Sequence, residues 1–389
     1  MISYYRKLVA EHSRMQAFQN GITAAVRPGD TVCEIGAGLG TYAFMASRAG
    51  AAKVYAIEEG PVIELARKLY KANQNDLGVI EFIKQYSTLV HLEDKVDVVI
   101  YEDFECQGLS PLQESVLKDA SRRFLKPGGT FIPYGLELYW VPLQAENIWQ
   151  KEVSCLDKNE EKVLGLDFAL TRELTSNERI QTPFEADSLL SSELLIESLN
   201  FAEKQQLEFS RELTFKITTS GTLHGFGSWA DFLFPGGHRF SLSYEKPVTA
   251  YSRAFFPLPE PVPVETGDCI RMKVGVVKKP LPNRHTWSWW GEIDDRHGRS
   301  KFKWQSSTLH LSQFQKQDIE FSRYIDTDYC PVLNEEGHLR KFILERMNGN
   351  MTIEQIANEL LVRFPENFPS LGKALTKVTR LAKKCSINA

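Results

Sequence analysis

Residues 31–40 read Thr-Val-Cys-Glu-Ile-Gly-Ala-Gly-Leu-Gly, and Thr41 then opens a run that alternates apolar and polar residues at helical spacing. A short apolar strand that feeds a glycine turn and then a helix is the start of a βαβ unit. Glycine lets the backbone turn sharply there and lets a ligand approach closely. The spacing is G-x-G-x-G, with Thr41 where a dinucleotide-binding loop has its third Gly or Ala. Glu58 ends the next apolar stretch, about 20 residues on, where a carboxylate can accept hydrogen bonds from ribose hydroxyls. No pyrophosphate clamp is needed, and Glu34 precedes the turn. The nucleoside expected at Gly36, Gly38, Gly40 and Glu58 is therefore S-adenosylmethionine, with Glu34 placed for its methionine amino group.

Outward from this turn the alternation continues. Buried-strand patterns occur at 31–35, 53–57, 79–83, 96–101 and 130–132, separated by helical patterns at 41–49, 61–73 and 110–124. Strands alternating with helices imply a parallel sheet covered on both faces, a doubly wound, Rossmann-like α/β fold. Ser110, Pro111 and Gln113 form a helix start signal. From about 143 the pattern becomes β-rich, at 212–219, 269–277 and 285–293, with Pro and Gly between. A β-barrel-like domain is expected there, interrupted at 144–200 by helical and polar sequence. From about 327 three helical stripes follow: Leu339, Phe342, Ile343 and Met347; then Ile353, Ile356, Leu360 and Leu361 behind a Thr352–Gln355 capping box; then Leu371, Leu375, Val378 and Leu381. The expected domains are thus 1–142, 143–326 and 327–389.

Composition narrows the function classes. The 389 residues are 42% hydrophobic and 25% charged, which excludes a disordered or fibrous chain. A formal net charge of −4 gives no whole-chain reason to expect nucleic acid, and no apolar run has the length of a membrane span. Six scattered cysteines without a C-x-x-C pair read as reduced thiols of a cytoplasmic protein, and no histidine spacing calls for a metal. Trp287, Trp289 and Trp290 read as barrel packing, and His224 and His238 as structural. Trp229 and Asp231 are candidates for the substrate side of the barrel. The basic stripe Lys373, Lys377, Arg380, Lys383 and Lys384 reads as a solvated face.

With these motifs the chain resembles the protein arginine methyltransferases over most of residues 1–326. The resemblance implies that Arg14, in EHSRMQAFQNGI, pairs with the cofactor carboxylate, and that VCEIGAGLG and Glu58 form the cofactor loop and ribose contact. It implies a helical dimerisation arm within 144–200 and a homodimer. PVTAYSRAFFPLPEPVPVETGDCI, residues 247–270, is similar to the barrel stretch that holds the family's Thr-His-Trp loop. The family grips its substrate arginine with two glutamates after the fourth strand. Glu102 matches the first; the second would fall near Pro111, so Glu105 or Glu114 could serve only if the loop runs differently. Thr249-Ala250-Tyr251 replaces Thr-His-Trp.

The chemistry of the loop can be read without the resemblance. Glu102, Asp103 and Glu105 form an acidic cluster at the end of a central parallel strand, where open α/β sheets bind ligands. A guanidinium stays protonated in water and its planar donors suit carboxylates. Glu102 and Glu105 are therefore the expected catalytic residues. The tail from Tyr329 resembles PqqD-like peptide-recognition domains, which implies a winged-helix-like module that captures a leader peptide as an added strand. The expected function is N-methylation of a peptide or small natural-product precursor, a guanidino group included. O-methylation of a carboxylate or hydroxyl, and a non-catalytic cofactor-binding scaffold that recruits a peptide, are the alternatives.

Overall fold

Five stretches rich in Val, Ile and aromatic residues have both faces covered, and they become parallel strands. They are β1 (Thr31–Ile35), β2 (Lys53–Ile57), β3 (Val79–Ile83), β4 (Val96–Tyr101) and β5 (Leu125–Ile132), in the spatial order β3-β2-β1-β4-β5. The structure, a computed structural model, describes residues 2–73, 77–105, 108, 110–154, 162, 164–166, 169–249, 251–278, 285–309 and 330–385. Helices α1 (Ile2–Ala10) and α2 (His12–Ala25) precede the sheet. Helices α3 (Thr41–Arg48), α4 (Ile63–Asn73) and α5 (Pro111–Arg123) connect its strands. The order reverses between β1 and β4, and that switch point opens a crevice at their carboxyl ends. Ser110 caps α5 with Gln113 in a reciprocal capping box, as its sequence predicts.

Two antiparallel sheets follow. One has the order β7-β12-β10-β6-β8, with β11 on β10, and the other the order β15-β14-β13-β9. Their strands are β6 (Gly135–Leu143), β7 (Ile180–Gln181), β8 (Leu194–Asn200), β9 (Phe209–Lys216), β10 (Gly221–Phe234), β11 (His238–Ser241), β12 (Ala254–Val264), β13 (Cys269–Val277), β14 (Thr286–Asp294) and β15 (Ser300–Ser307). Aromatic rings fill the space they enclose: Trp140 lies 4.4 Å from Phe256, Phe226 5.7 Å from Trp304 and Phe256 5.1 Å from Trp289. Trp287 and Trp289 belong to this core, whereas Trp290, one register position on, stays exposed.

The change of architecture comes earlier than 142. Strand β6 already pairs β10 and β8, so the barrel begins at Gly135. The apolar run there is shared: Leu136, Leu138 and Trp140 are fully buried in the same core that contains the parallel sheet. Within 144–200, α6 (Glu146–Glu152) and α7 (Ala169–Thr175) are helical, but the segment returns to the sheet as β7 and β8. Helix α2 spans the two architectures. Phe18 stacks on Tyr42 of α3 at 4.2 Å and meets Phe234 of β10 edge-on at 4.9 Å.

The chain divides into two units, Met1–Arg323 and Tyr324–Ala389. The second is built from α8 (Glu335–Arg346), α9 (Ile353–Arg363) and α10 (Leu371–Cys385) around Leu339, Ile343, Ile356, Leu360, Ala374 and Val378. Thr352 and Gln355 form the expected capping box, although Ile353 faces outward. Among the described residues this unit has no strand.

Candidate active site

The glycine turn is fastened before it meets any ligand. Gly36 and Ala37 both donate their backbone N–H to the carbonyl of Ile57 at 2.9 Å, which ties the turn to the end of β2. Gly36, Gly38 and Gly40 have φ of 74°, 53° and 75°, a left-handed conformation that glycine adopts without cost. A Cβ on Gly38 would lie 2.9 Å from Tyr5 Cε1, so α1 packs directly on the loop. Glu58 accepts from Gly38 N at 3.0 Å and from Gly60 N at 2.7 Å. Each of its oxygens keeps a further lone pair for a ribose hydroxyl.

Glu34 has a local duty that the sequence did not disclose. It is buried, and Oε2 accepts from Ala43 N at 2.8 Å in the first turn of α3. A carboxylate at a helix N-terminus is favourable. Burial nevertheless pushes its carboxyl up to about 8, while the N–H groups of Ala43 and Tyr42 pull the other way.

Just past the carboxyl end of β4, Arg14 and Glu102 meet. Arg14 projects from α2 and is 1% exposed; its Nη1 donates to Glu102 Oε1 at 2.7 Å. Its Nη2 donates to the carbonyl of Leu8, and its Nε lies 3.5 Å from the Glu11 carboxylate. Burial raises the Glu102 carboxyl to about 7 even against the attraction of Arg14. The residue expected to hold the cofactor carboxylate and the residue expected to hold the acceptor are thus bonded to each other.

Neither candidate for the second carboxylate joins that pair. Glu105 bonds Arg179 at 3.0 Å near the surface. Glu114 is buried, accepts from Leu207 N at 2.6 Å and bonds His285 Nε2 at 2.7 Å. Pro111 occupies the first position of α5. Trp229 stacks on Tyr139 within the barrel, and Asp231 pairs with Arg239 at 2.9 Å, so both have structural duties. His224 is bound to the backbone at Ala145 and Thr222. One residue went unnoticed in the sequence except as the loss of a histidine beside it. The Tyr251 hydroxyl lies 3.5 Å from Arg14 Nη1 and its ring centre 5.7 Å from the guanidinium carbon.

These residues fit S-adenosylmethionine. Open space borders Gly36 where a side chain would project, and Glu58 has acceptor capacity to spare beside it. Arg14 is enclosed, yet its Nε has no hydrogen-bond acceptor. That Nε faces Glu11 Oε2 at 3.5 Å without a hydrogen bond, so it is the guanidinium donor still open to a cofactor carboxylate. Among the described residues no group of three or more His, Cys, Asp or Glu is gathered as metal ligands, and no helix is long and apolar enough to cross a membrane.

Comparison with known proteins bears on family and fold. Residues 33–132 match the family model "Methyltransferase domain", and residues 139–288 match "Arginine methyltransferase oligomerization subdomain". The chain is 28% identical over 279 residues to protein arginine N-methyltransferase 2 of Xenopus tropicalis, an alignment covering 67% of this chain and 63% of that protein. It thus spans about three fifths of that relative's length. It is 25% identical to protein arginine N-methyltransferase 6 of Danio rerio, covering 73% of this chain and 84% of the relative. In fold it is similar to a chain of the Trypanosoma brucei PRMT1 enzyme-prozyme heterotetrameric complex with AdoHcy (TM-score 0.71, 18% identity, 79% of this chain and 98% of that one). Arabidopsis thaliana protein arginine methyltransferase 10 is also similar, with a TM-score of 0.68, 20% identity and coverage of 79% and 97%.

Proposed function

We propose that this chain, a class I S-adenosylmethionine-dependent methyltransferase of the protein arginine methyltransferase kind, methylates a nitrogen of a cationic acceptor carried on a peptide, with an arginine guanidino group as the leading case. One observation carries the reading: Arg14 bonds Glu102 just past the carboxyl end of β4, the strand paired with β1, whose own end leads into the Gly36–Gly40 turn held by Glu58. S-adenosylmethionine supplies a methyl group on a positively charged sulfur. In this reading Glu58 accepts from the ribose hydroxyls and Arg14 holds the methionine carboxylate. Glu34 anchors α3, so its contact with the methionine amino group is a second task for the same carboxylate. Glu102 orients the acceptor cation, and its near-neutral carboxyl makes it a base for the proton that the nitrogen sheds. Most of the rate then comes from alignment.

Calorimetry with S-adenosylhomocysteine tests the cofactor half: binding near the micromolar range, about −8 kcal/mol, supports it, and no binding overturns it. We also propose a homodimer held by the 144–200 arm, and a peptide-recruiting role for residues 327–389. A second reading has a specific observation in its favour. With Pro111 where the second glutamate would fall, the second reading is a non-catalytic S-adenosylmethionine-binding scaffold that recruits a peptide. Methyl transfer by the isolated chain separates the two readings.

A further inference from the structure

We propose that the outer face of α10 docks an acidic segment of the peptide that this chain methylates, a segment separate from the cationic acceptor. The inference rests on the peptide-recruiting role proposed for residues 327–389, and it names the surface and the chemistry that surface takes. Helix α10 holds five Lys or Arg residues and no Asp or Glu. Its apolar side, Leu371, Ala374, Leu375, Val378 and Leu381, packs into the three-helix core. Lys373, Lys377, Arg380 and Lys384 recur at steps of four, three and four residues, so they form one stripe on the side away from that core. At 1.5 Å per residue the stripe is about 16 Å long. In the sequence it reads as a solvated face; its lack of partners, beside helices whose charges have them, is what the structure adds.

Helix electrostatics disfavour such a stripe. Like charges three or four residues apart destabilise a helix, and three such neighbours follow one another here. A cation in the first turn also opposes the helix dipole. Helices α8 and α9 follow the ordinary rule, with Glu335, Glu336 and Glu354 in their first turns, whereas α10 has Lys373 and no acidic residue there. The three Lys and Arg residues of α8 are paired: Arg340 with Glu336 at 2.8 Å, Lys341 with Glu345 at 3.8 Å and Arg346 with Glu359 at 2.5 Å. Arg363 of α9 sits in the last turn, where the dipole favours it. On α10, Lys377 reaches the Glu336 carboxylate at 2.6 Å. Among the described residues Lys373, Arg380 and Lys384 pair with no carboxylate, and all three are exposed.

An acidic peptide suits this stripe better than nucleic acid does. Side chains on one side of an extended segment recur about every 6.5 Å, so three carboxylates span about 13 Å of it. Helix α10 carries no aromatic side chain to stack a base and no Asn or Gln to read one. The chain's net charge of −4 also works against a polyanion as dense as a duplex. The test is fluorescence anisotropy on the full chain, with a labelled peptide of alternating Glu and Ser, its Gln-Ser counterpart and a short DNA duplex. Wild type should bind the Glu-Ser peptide, more weakly as salt is added, and should not bind the Gln-Ser peptide. The triple variant Lys373→Gln, Arg380→Gln, Lys384→Gln should bind it about tenfold more weakly. The double variant Arg340→Gln, Lys341→Gln, which removes charge from α8 instead, should stay within about threefold of wild type. An unchanged thermal unfolding profile reports that both variants are folded. Equal binding by wild type and the triple variant, equal losses in the two variants, or tighter binding of the duplex than of the Glu-Ser peptide overturns the inference. Methyl transfer by wild type to a Gly-Arg-Gly peptide, with and without the Glu-Ser segment attached, keeps the two proposals apart. The attached segment should lower KM about tenfold. Transfer to both peptides at equal KM overturns this inference and leaves the proposed function standing. Transfer to neither, with Glu-Ser binding intact, overturns the proposed function and leaves the docking surface.

Discussion

At the scale of single residues, the proposed function makes the protonation of Glu102 decide what the acceptor site can hold. Its ordinary carboxyl value would leave it ionised throughout the neutral range, but burial brings it up to about 7. Below that value the group is neutral and cannot pair with a cation; above it the charge is present. The dependence of kcat/KM on pH should therefore rise about tenfold per unit on the acid side and level off above about 7. Residual transfer by Glu102→Gln should lack this limb; a profile unchanged by that substitution contradicts the assignment. Glu58 has a different signature, because the proposed function gives it a role toward the cofactor alone. Glu58→Ala should weaken S-adenosylhomocysteine by about 1–3 kcal/mol in calorimetry, and normal affinity contradicts the ribose contact. Gly38→Ala should act through shape: the new methyl group strains a backbone at φ of 53° and meets Tyr5, so affinity should fall without any change in charge.

Among the elements, those set by local chemistry were legible and those set by distant partners were not. The glycine turn, the capping boxes of α5 and α9, and strands such as β1, β2 and β13 follow from turn residues, caps and β-branched runs close in sequence. The start of the barrel is not legible in the sequence, because β6 shows the same apolar run whether its neighbours are parallel or antiparallel; only its pairing with β10, some 90 residues on, distinguishes them. Glu114 shows the same limit. Its position suggested a substitute substrate glutamate, but its partners His285 and Leu207 lie far along the chain, and they make it a tie between α5 and the second half of the molecule. Glu114→Ala should leave that N–H and the buried imidazole without an acceptor and lower stability by about 2–4 kcal/mol, read as a fall in Tm. S-adenosylhomocysteine affinity should remain near wild type. A stable variant that loses methyl transfer instead would return Glu114 to the acceptor site.

For the whole molecule, the first unit carries the cofactor crevice and the barrel, and the second is a separate three-helix core. The match to an oligomerization subdomain agrees with an arm that needs a partner. Leu164 and Leu166 are 56% and 59% exposed in the single chain, surface that a two-fold partner could cover. Light scattering should give about twice the chain mass of 44.3 kDa, and the double substitution Leu164→Asp, Leu166→Asp should shift it to the monomer. A monomeric wild type removes the homodimer. The central claim is that Glu102 positions the acceptor for a methyl group delivered from the Gly36–Gly40 and Glu58 side. Its most direct measurement is the rate of methyl transfer from S-adenosylmethionine to an arginine-containing peptide at pH 8, wild type against Glu102→Gln, with both saturated in cofactor. The account expects transfer by the wild type and a loss of about a hundredfold or more in the variant, at unchanged S-adenosylhomocysteine affinity. Equal rates in the two proteins, or no transfer by either, would contradict it.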